Sequence, residues 1–214
     1  HGLRLVLGHR TSGGYDLDPD RFGLTSPAYA DRTADLRMEF DVAERWALEL
    51  GARGSLQAQD GRFSIRGGSG EQRYDEHGAR REWSVNPKVI GRLESGLRLS
   101  SSVYLSGYAT DLEHVSREDG SVLYADGFDQ RYSKAEQQVT RLWNERHLSV
   151  GGAGVVREEL GGDRYGSGPQ TPRSTLGFVY LQHEWIPGER FQVGVSGRFD
   201  AHSDYASRLS PKLS

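Results

Sequence analysis

Asp35-Leu36-Arg37-Met38-Glu39-Phe40-Asp41-Val42, then Ala43-Glu44-Arg45, then Trp46-Ala47-Leu48-Glu49-Leu50-Gly51-Ala52-Arg53: this stretch decides the fold. Leu36, Met38, Phe40 and Val42 alternate with Asp35, Arg37, Glu39 and Asp41. After three residues the same rhythm resumes, with Trp46, Leu48, Leu50, Ala52, Leu56 and Ala58 set against Glu49, Arg53, Ser55, Gln57 and Gln59. Period two puts successive side chains on opposite faces of a strand. A helix would need apolar residues three and four apart, and neither segment has them. Two strands joined by a tight turn are therefore predicted.

The rhythm extends in both directions. Leu3, Leu5 and Leu7 share a face. Trp83, Val85, Val89 and Leu93 oppose Ser84, Asn86, Lys88 and Arg92, while Leu97, Leu99, Val103 and Leu105 oppose Arg98, Ser100, Ser102, Tyr104 and Ser106. Leu148, Val150 and Val156 are read as one apolar face, with Gly152 and Gly154 in its gaps. Val179, Leu181 and Trp185 oppose Tyr180, Gln182 and Glu184; Phe191, Val193, Val195 and Phe199 oppose Gln192, Ser196, Arg198 and Asp200. A poorer strand covers 135–143, where Arg141 falls in the apolar phase, and a tenth begins near Ser207.

Composition narrows what such strands build. Only 35% of the 214 residues are hydrophobic and 27% are charged, against ~45–50% apolar, counting glycine, in ordinary soluble domains. The 28 glycines and ten tyrosines are unlike a disordered chain. A barrel wall reconciles these numbers, because only every second residue of each strand must be apolar. No apolar run is long enough for a membrane-spanning helix. A net charge of −3 without a basic stripe argues against nucleic acid as a partner. With no cysteine, disulfides, thiolate metal sites and cysteine nucleophiles are excluded.

The connections carry a second signal. Short ones are expected at 43–45, 94–96, 144–147 and 187–189, and long ones at 11–33, 60–81, 111–133 and 158–174. The two kinds alternate, although 201–206 is only of medium length. Trp46, Trp143 and Trp185 each lie close to a short turn in the apolar phase, as indole rings do at a membrane–water interface. An antiparallel transmembrane β-barrel accounts for both signals, with short periplasmic turns and long external loops. The expected location is the bacterial outer membrane, with lipid against the apolar phase.

Three motifs resemble TonB-dependent outer-membrane receptors of the cobalamin, haem and siderophore group. Gly14-Tyr15-Asp16-Leu17 is similar to the start of an early external loop in that family. Tyr180-Leu181-Gln182-His183-Glu184-Trp185 resembles one of its strands. Arg198-Phe199-Asp200 followed by Tyr205-Ala206-Ser207-Arg208-Leu209-Ser210-Pro211-Lys212 resembles the mid-barrel pattern RYD…YGSxLSPR, with Ala206 in place of glycine. The resemblance implies a barrel of 22 strands, an N-terminal plug domain and a TonB box. Residues 1–214 would then form an internal part of that barrel, about ten strands, with the plug and the closing C-terminal strands outside it. It also implies uptake of a metal chelate (cobalamin, haem or siderophore), with the TonB complex engaged through the N-terminal region. A passive porin or an adhesin-type barrel is the alternative.

Candidate ligand contacts are the aromatics expected in external loops: Tyr15, Tyr29, Tyr74, Tyr124, Phe128, Tyr132 and Tyr165. Flat apolar rings suit large planar ligands, though the same rings could pack loop against loop. Asp16, Asp18 and Asp20 alternate in one loop. Such oxygen density suits calcium, and the resemblance adds that cobalamin receptors bind calcium through loop aspartates; turn formation explains these residues equally. His77 and His114 are candidate iron ligands on the resemblance to haem receptors. Arg66-Gly67-Gly68-Ser69-Gly70 lacks the lysine and following helix of a phosphate loop and reads as a loop tip. No HExxH or Ser/His/Asp constellation stands out, and no catalytic residues are assigned: the chain reads as a receptor or transporter, not an enzyme.

Overall fold

The computed structural model describes residues 1–68, 70–93, 96–163, 172–188 and 191–214. They form one antiparallel sheet of ten strands: β1 (Gly2–Ser12), β2 (Ala28–Ala43), β3 (Trp46–Gly67), β4 (Gly70–Arg92), β5 (Leu97–Ser116), β6 (Val122–Asn144), β7 (His147–Gly162), β8 (Arg173–Gly188), β9 (Phe191–His202) and β10 (Arg208–Leu213). The spatial order is the sequence order, so every strand pairs with its neighbours in the chain. All ten expected strands are present, and the strand ends that flank the four expected short connections lie at one end of the sheet.

At the other end the sequence reading needs correction. Two of the four long loops are mostly strand. β3 and β4 stay in register up to Gly67↔Gly70, and β5 and β6 from Arg98↔Thr140 up to His114↔Tyr124. The β5–β6 turn is short: Ser116 N–H donates to Ser121 O at 2.8 Å, and Gly120 supplies a left-handed residue at φ 71°. β3, β4 and β6 thus reach 22, 23 and 23 residues, where about 9–11 would cross a membrane.

Reading residues across the strands exposes the two faces. One row runs Phe40, Leu48, Val89, Ser101, Gln137, Ala153, Val179, Phe199, Leu209. The adjacent row on the opposite face runs Glu39, Glu49, Lys88, Ser102, Glu136, Gly154, Phe178, Asp200, Arg208. The apolar face has no protein layer on it. Leu5, Leu181, Val195 and Leu209 are 59%, 64%, 54% and 66% exposed, and the buried apolar side chains among the described residues are Tyr74, Ile90 and Phe178. Such a continuous bare apolar surface needs an apolar surrounding.

In β7 the assigned phase is reversed. Leu148, Val150 and Val156 lie on the polar face, opposite Leu142, Thr140 and Lys134, and Val155, Ala153 and Gly151 continue the apolar face. The glycines settle the matter. A Cβ at Gly152 would stand 2.6 Å from the Tyr180 ring, and one at Gly154 2.6 Å from the Phe178 ring. Those gaps are seats for polar-face aromatics.

Tryptophans mark the limits of the apolar band. Trp46 lies over Gly91 at the tight-turn end, and Trp83 lies over Gly107 further up. Trp46 pairs with Gly91 and Trp83 with Gly54. From position 46 to 54, at about 3.3 Å per residue and about 40° tilt, the climb is roughly 20 Å, close to the ~25 Å apolar belt of an outer-membrane barrel. β3 and β4 continue beyond it for roughly 30 Å by the same arithmetic.

Candidate ligand-facing wall

The polar face carries two groups of aromatic rings, one above the other. The lower group lies near the upper edge of the band. Tyr104 and Tyr132 meet edge to face at 5.9 Å, and Tyr108 and Phe128 tilt together at 6.0 Å. Tyr104, Tyr108 and Tyr132, together with Arg53, Glu82, Ser106 and Gln130, line a cleft of about 500 Å³. Arg80 Nε donates to Glu82 Oε1 at 2.7 Å, and its guanidinium lies 5.5 Å from the Tyr108 ring centre. The hydrogen bond to Glu82 holds the Arg80 pKa above its ordinary value, outweighing desolvation. Rings beside fixed donors and acceptors form a surface that can bind a flat, polar-edged ligand.

Nearer the tips, Phe63 stacks on Tyr74 at 5.4 Å and meets the edge of His114 at 4.8 Å, and His114 lies 5.2 Å from Tyr124. Glu76 is held below them: Gln59 Nε2 donates to Oε1 at 3.2 Å, and His114 Nε2 lies 3.2 Å from Oε2. The β1–β2 connection is fastened to these hairpins. Leu24 N–H donates to Arg62 O at 2.9 Å, and Ser64 Oγ donates to Phe22 O at 3.3 Å. The Phe22 ring has the guanidiniums of Arg62, Arg73 and Arg117 at 5.7, 4.9 and 5.3 Å.

Below the cleft the same wall continues as a charged ladder. Tyr180 OH donates to Glu136 Oε1 at 2.8 Å, and Lys134 Nζ reaches Glu136 Oε2 at 2.6 Å. Arg198 donates to Asp200 Oδ1 at 2.8 Å while lying 4.4 Å from the Phe178 ring centre.

The expected contact residues are only partly united. Tyr74, Tyr124, Phe128 and Tyr132 all face the polar side, but from strands rather than loops. Tyr29 joins that face at the start of β2, opposite Gln59. Tyr15 stands apart in the β1–β2 connection, bridged to Ser26. Tyr165 lies outside the described residues. His77 and His114 do not converge, because they sit on opposite faces of the sheet: His77 pairs with Asp60 at 2.8 Å, and His114 points among the rings. The three aspartates behave as turn residues. Asp16 Oδ1 accepts the Asp18 N–H at 3.0 Å, Asp18 pairs with Arg21 at 3.1 Å, and Asp20 is exposed. Among the described residues no group of three or more acidic or histidine side chains could hold a metal ion. Phe63, Tyr108, Arg53, Glu82 and Gln130 were not singled out from sequence, nor were Tyr104 and Tyr180 as site residues. Both tyrosines do stand in the polar phase of their strands, and an aromatic in that phase is the signal that would have found them.

Neither a protein-family profile nor a curated protein matches the sequence. Solved structures do match the fold. Over 99% of the chain, the siderophore receptor PirA from Acinetobacter baumannii superposes at TM-score 0.62 with 14% identity. The RagAB peptide importer does so at 0.70 with 8% identity, and the copper transporter OprC at 0.66 with 14%. The fold is that of part of an outer-membrane β-barrel. The resemblance to TonB-dependent receptors read from the motifs is thereby matched at the level of architecture. The chain spans 35%, 31% and 36% of those three structures, about a third of each.

Proposed function

We propose that the chain is a segment of the wall of a TonB-dependent receptor in the bacterial outer membrane, which imports a metal chelate of the siderophore, haem or cobalamin type. The observation that carries the reading is the pairing of a bare apolar face with an aromatic, ion-paired opposite face on strands that outreach the membrane. The apolar face meets lipid. The polar face lines the barrel interior, and its extended upper part presents rings to a ligand arriving from outside. The likeness of fold to a siderophore receptor and a copper transporter supports the reading. In this reading the plug and TonB box belong to the rest of the protein, and the TonB complex supplies the energy for uptake.

Uptake of labelled ferric siderophores, haem and cobalamin by cells making the full-length protein tests the reading, with and without a functional TonB complex. Accumulation of one chelate that disappears without TonB is the expected result. Uptake that persists without TonB would point instead to a passive pore.

A further inference from the structure

Arg141 is the anomaly of the apolar face. It shares that face with Val139, in the row Leu97, Arg141, Ser149, His183, Val195, Leu213. Its guanidinium lies 4.0 Å from the Trp143 ring centre, and its Nε is buried with no hydrogen-bond partner among the described residues. A chain of polar groups stands beside it on the same face. Trp143 Nε1 donates to Ser149 Oγ at 2.9 Å, Ser149 Oγ lies 2.9 Å from His183 Nδ1, and His183 Nε2 lies 3.2 Å from His147 Nδ1. The His147 ring stacks on Trp185 at 6.1 Å.

An indole N–H can only donate, so Ser149 accepts from it, and with the serine hydrogen turned to His183 Nδ1 the chain of donors runs outward from Trp143. A neutral His183 then carries its proton on Nε2 and donates to His147 Nδ1. That leaves the His147 proton on Nε2, aimed at an acceptor beyond the chain. Arg141 and His147 thus both offer donors on the apolar face near the β6–β7 turn, and Glu184, the carboxylate nearest in sequence to His183, lies on the opposite face of β8. The setting is the lower rim of the apolar band, where Arg141, Trp143, His147 and Ser149 lie one to four residues from the β6–β7 turn.

We propose that this rim binds the phosphate of an anionic phospholipid in the periplasmic leaflet. The guanidinium edge and the His147 N–H donate to the phosphate oxygens, Trp143 and Trp185 flank the headgroup, and Val193, Val195 and Leu213 lie along the acyl chains. Arginine suits this role because its planar fork stacks on an indole while its edge still donates. The proposal rests on the outer-membrane reading above.

Native mass spectrometry of the full-length protein in detergent tests it, with phosphatidylglycerol and phosphatidylcholine of identical acyl chains as probes. Wild type should retain phosphatidylglycerol about fivefold better, the effect of one basic side chain at an anionic surface. Arg141→Gln should bring the two lipids to parity, and His183→Gln, which breaks the relay but keeps the arginine, should reduce the preference. An excess of inorganic phosphate should leave the lipid bound. Equal retention by wild type, an unchanged preference in Arg141→Gln, or displacement by inorganic phosphate would each overturn the assignment. Heat-modifiable gel mobility is read in parallel. Failure of wild type to form a folded, detergent-embedded barrel would overturn the membrane reading itself, and the lipid proposal with it.

Discussion

Leu50 lies four residues from each of the two levels that bound the apolar band, Trp46 below and Gly54, opposite Trp83, above. It is therefore at mid-depth, between Met38 and Pro87 on the apolar face. Arginine introduced at the midplane of a barrel's lipid face costs about 2–4 kcal/mol, falling to about 0–1 near the interfaces. Leu50→Arg should thus lower the folding equilibrium constant of the full-length protein roughly 30- to 700-fold. Leu56→Arg, between Arg32 and Arg81 at the upper margin of the same face, should change it by roughly fivefold at most. Arg53→Leu, on the polar face, should leave assembly intact. The assay is urea-dependent unfolding in lipid vesicles, followed by heat-modifiable gel mobility. If Leu56→Arg costs as much as Leu50→Arg, or Arg53→Leu costs more than either, then the faces or the depth scale are wrong.

Three further outcomes are expected. Gly91→Val drives a Cβ into the Trp46 ring at 2.7 Å and should destabilise by about 1–3 kcal/mol, whereas Gly197→Val, with open space around it on the same face, should be tolerated in the same unfolding assay. Phe22→Ala removes a ring held by three guanidiniums, each contact contributing roughly 0.5–1 kcal/mol at an exposed site; limited proteolysis should then cut within 13–27 faster, and an unchanged rate would show that the backbone bonds of Leu24 and Ser64 suffice. If the full-length protein binds a chelate as proposed, Tyr104→Ala and Tyr132→Ala should each weaken that binding by about tenfold, taking a ring contact at roughly 1–1.5 kcal/mol, with no change in gel mobility. Equal affinity in both variants would remove the cleft from the binding surface.

The fold was legible where the two faces meet different surroundings. Between Leu36 and Ala58 one face is apolar and the other polar, so a period of two is written directly into the residues. Above the band both faces of the hairpins are wet, and the alternation vanishes from Asp60 to Arg81 although the backbone is still strand; a hydrophobic pattern cannot separate such a strand from a loop. β7 was misread for a different reason. Glycine contributes to neither phase, and Gly152 and Gly154 stood for missing apolar side chains until the rings of Tyr180 and Phe178 were found seated on them. The candidate site suffered from the first cause: Tyr74, Tyr124, Phe128 and Tyr132 were identified as accessible aromatics but assigned to loops, and their strand partners Phe63 and Tyr108 went unnoticed. That His77 and His114 face opposite ways is a matter of register, which becomes visible only once β4 and β5 are aligned.

The strictly consecutive order of the strands has a consequence for how such a wall can change over evolutionary time. Apart from the contact of Phe22 with Arg117, each hairpin rests on the hairpins before and after it, so its free energy is close to a sum over adjoining neighbours, as in a stack of repeats. A hairpin could be duplicated or deleted as a unit without disturbing the alignment of distant strands. The circumference of the wall, and with it the bore it encloses, can therefore evolve in steps of two strands while the rings of the cleft stay where they are.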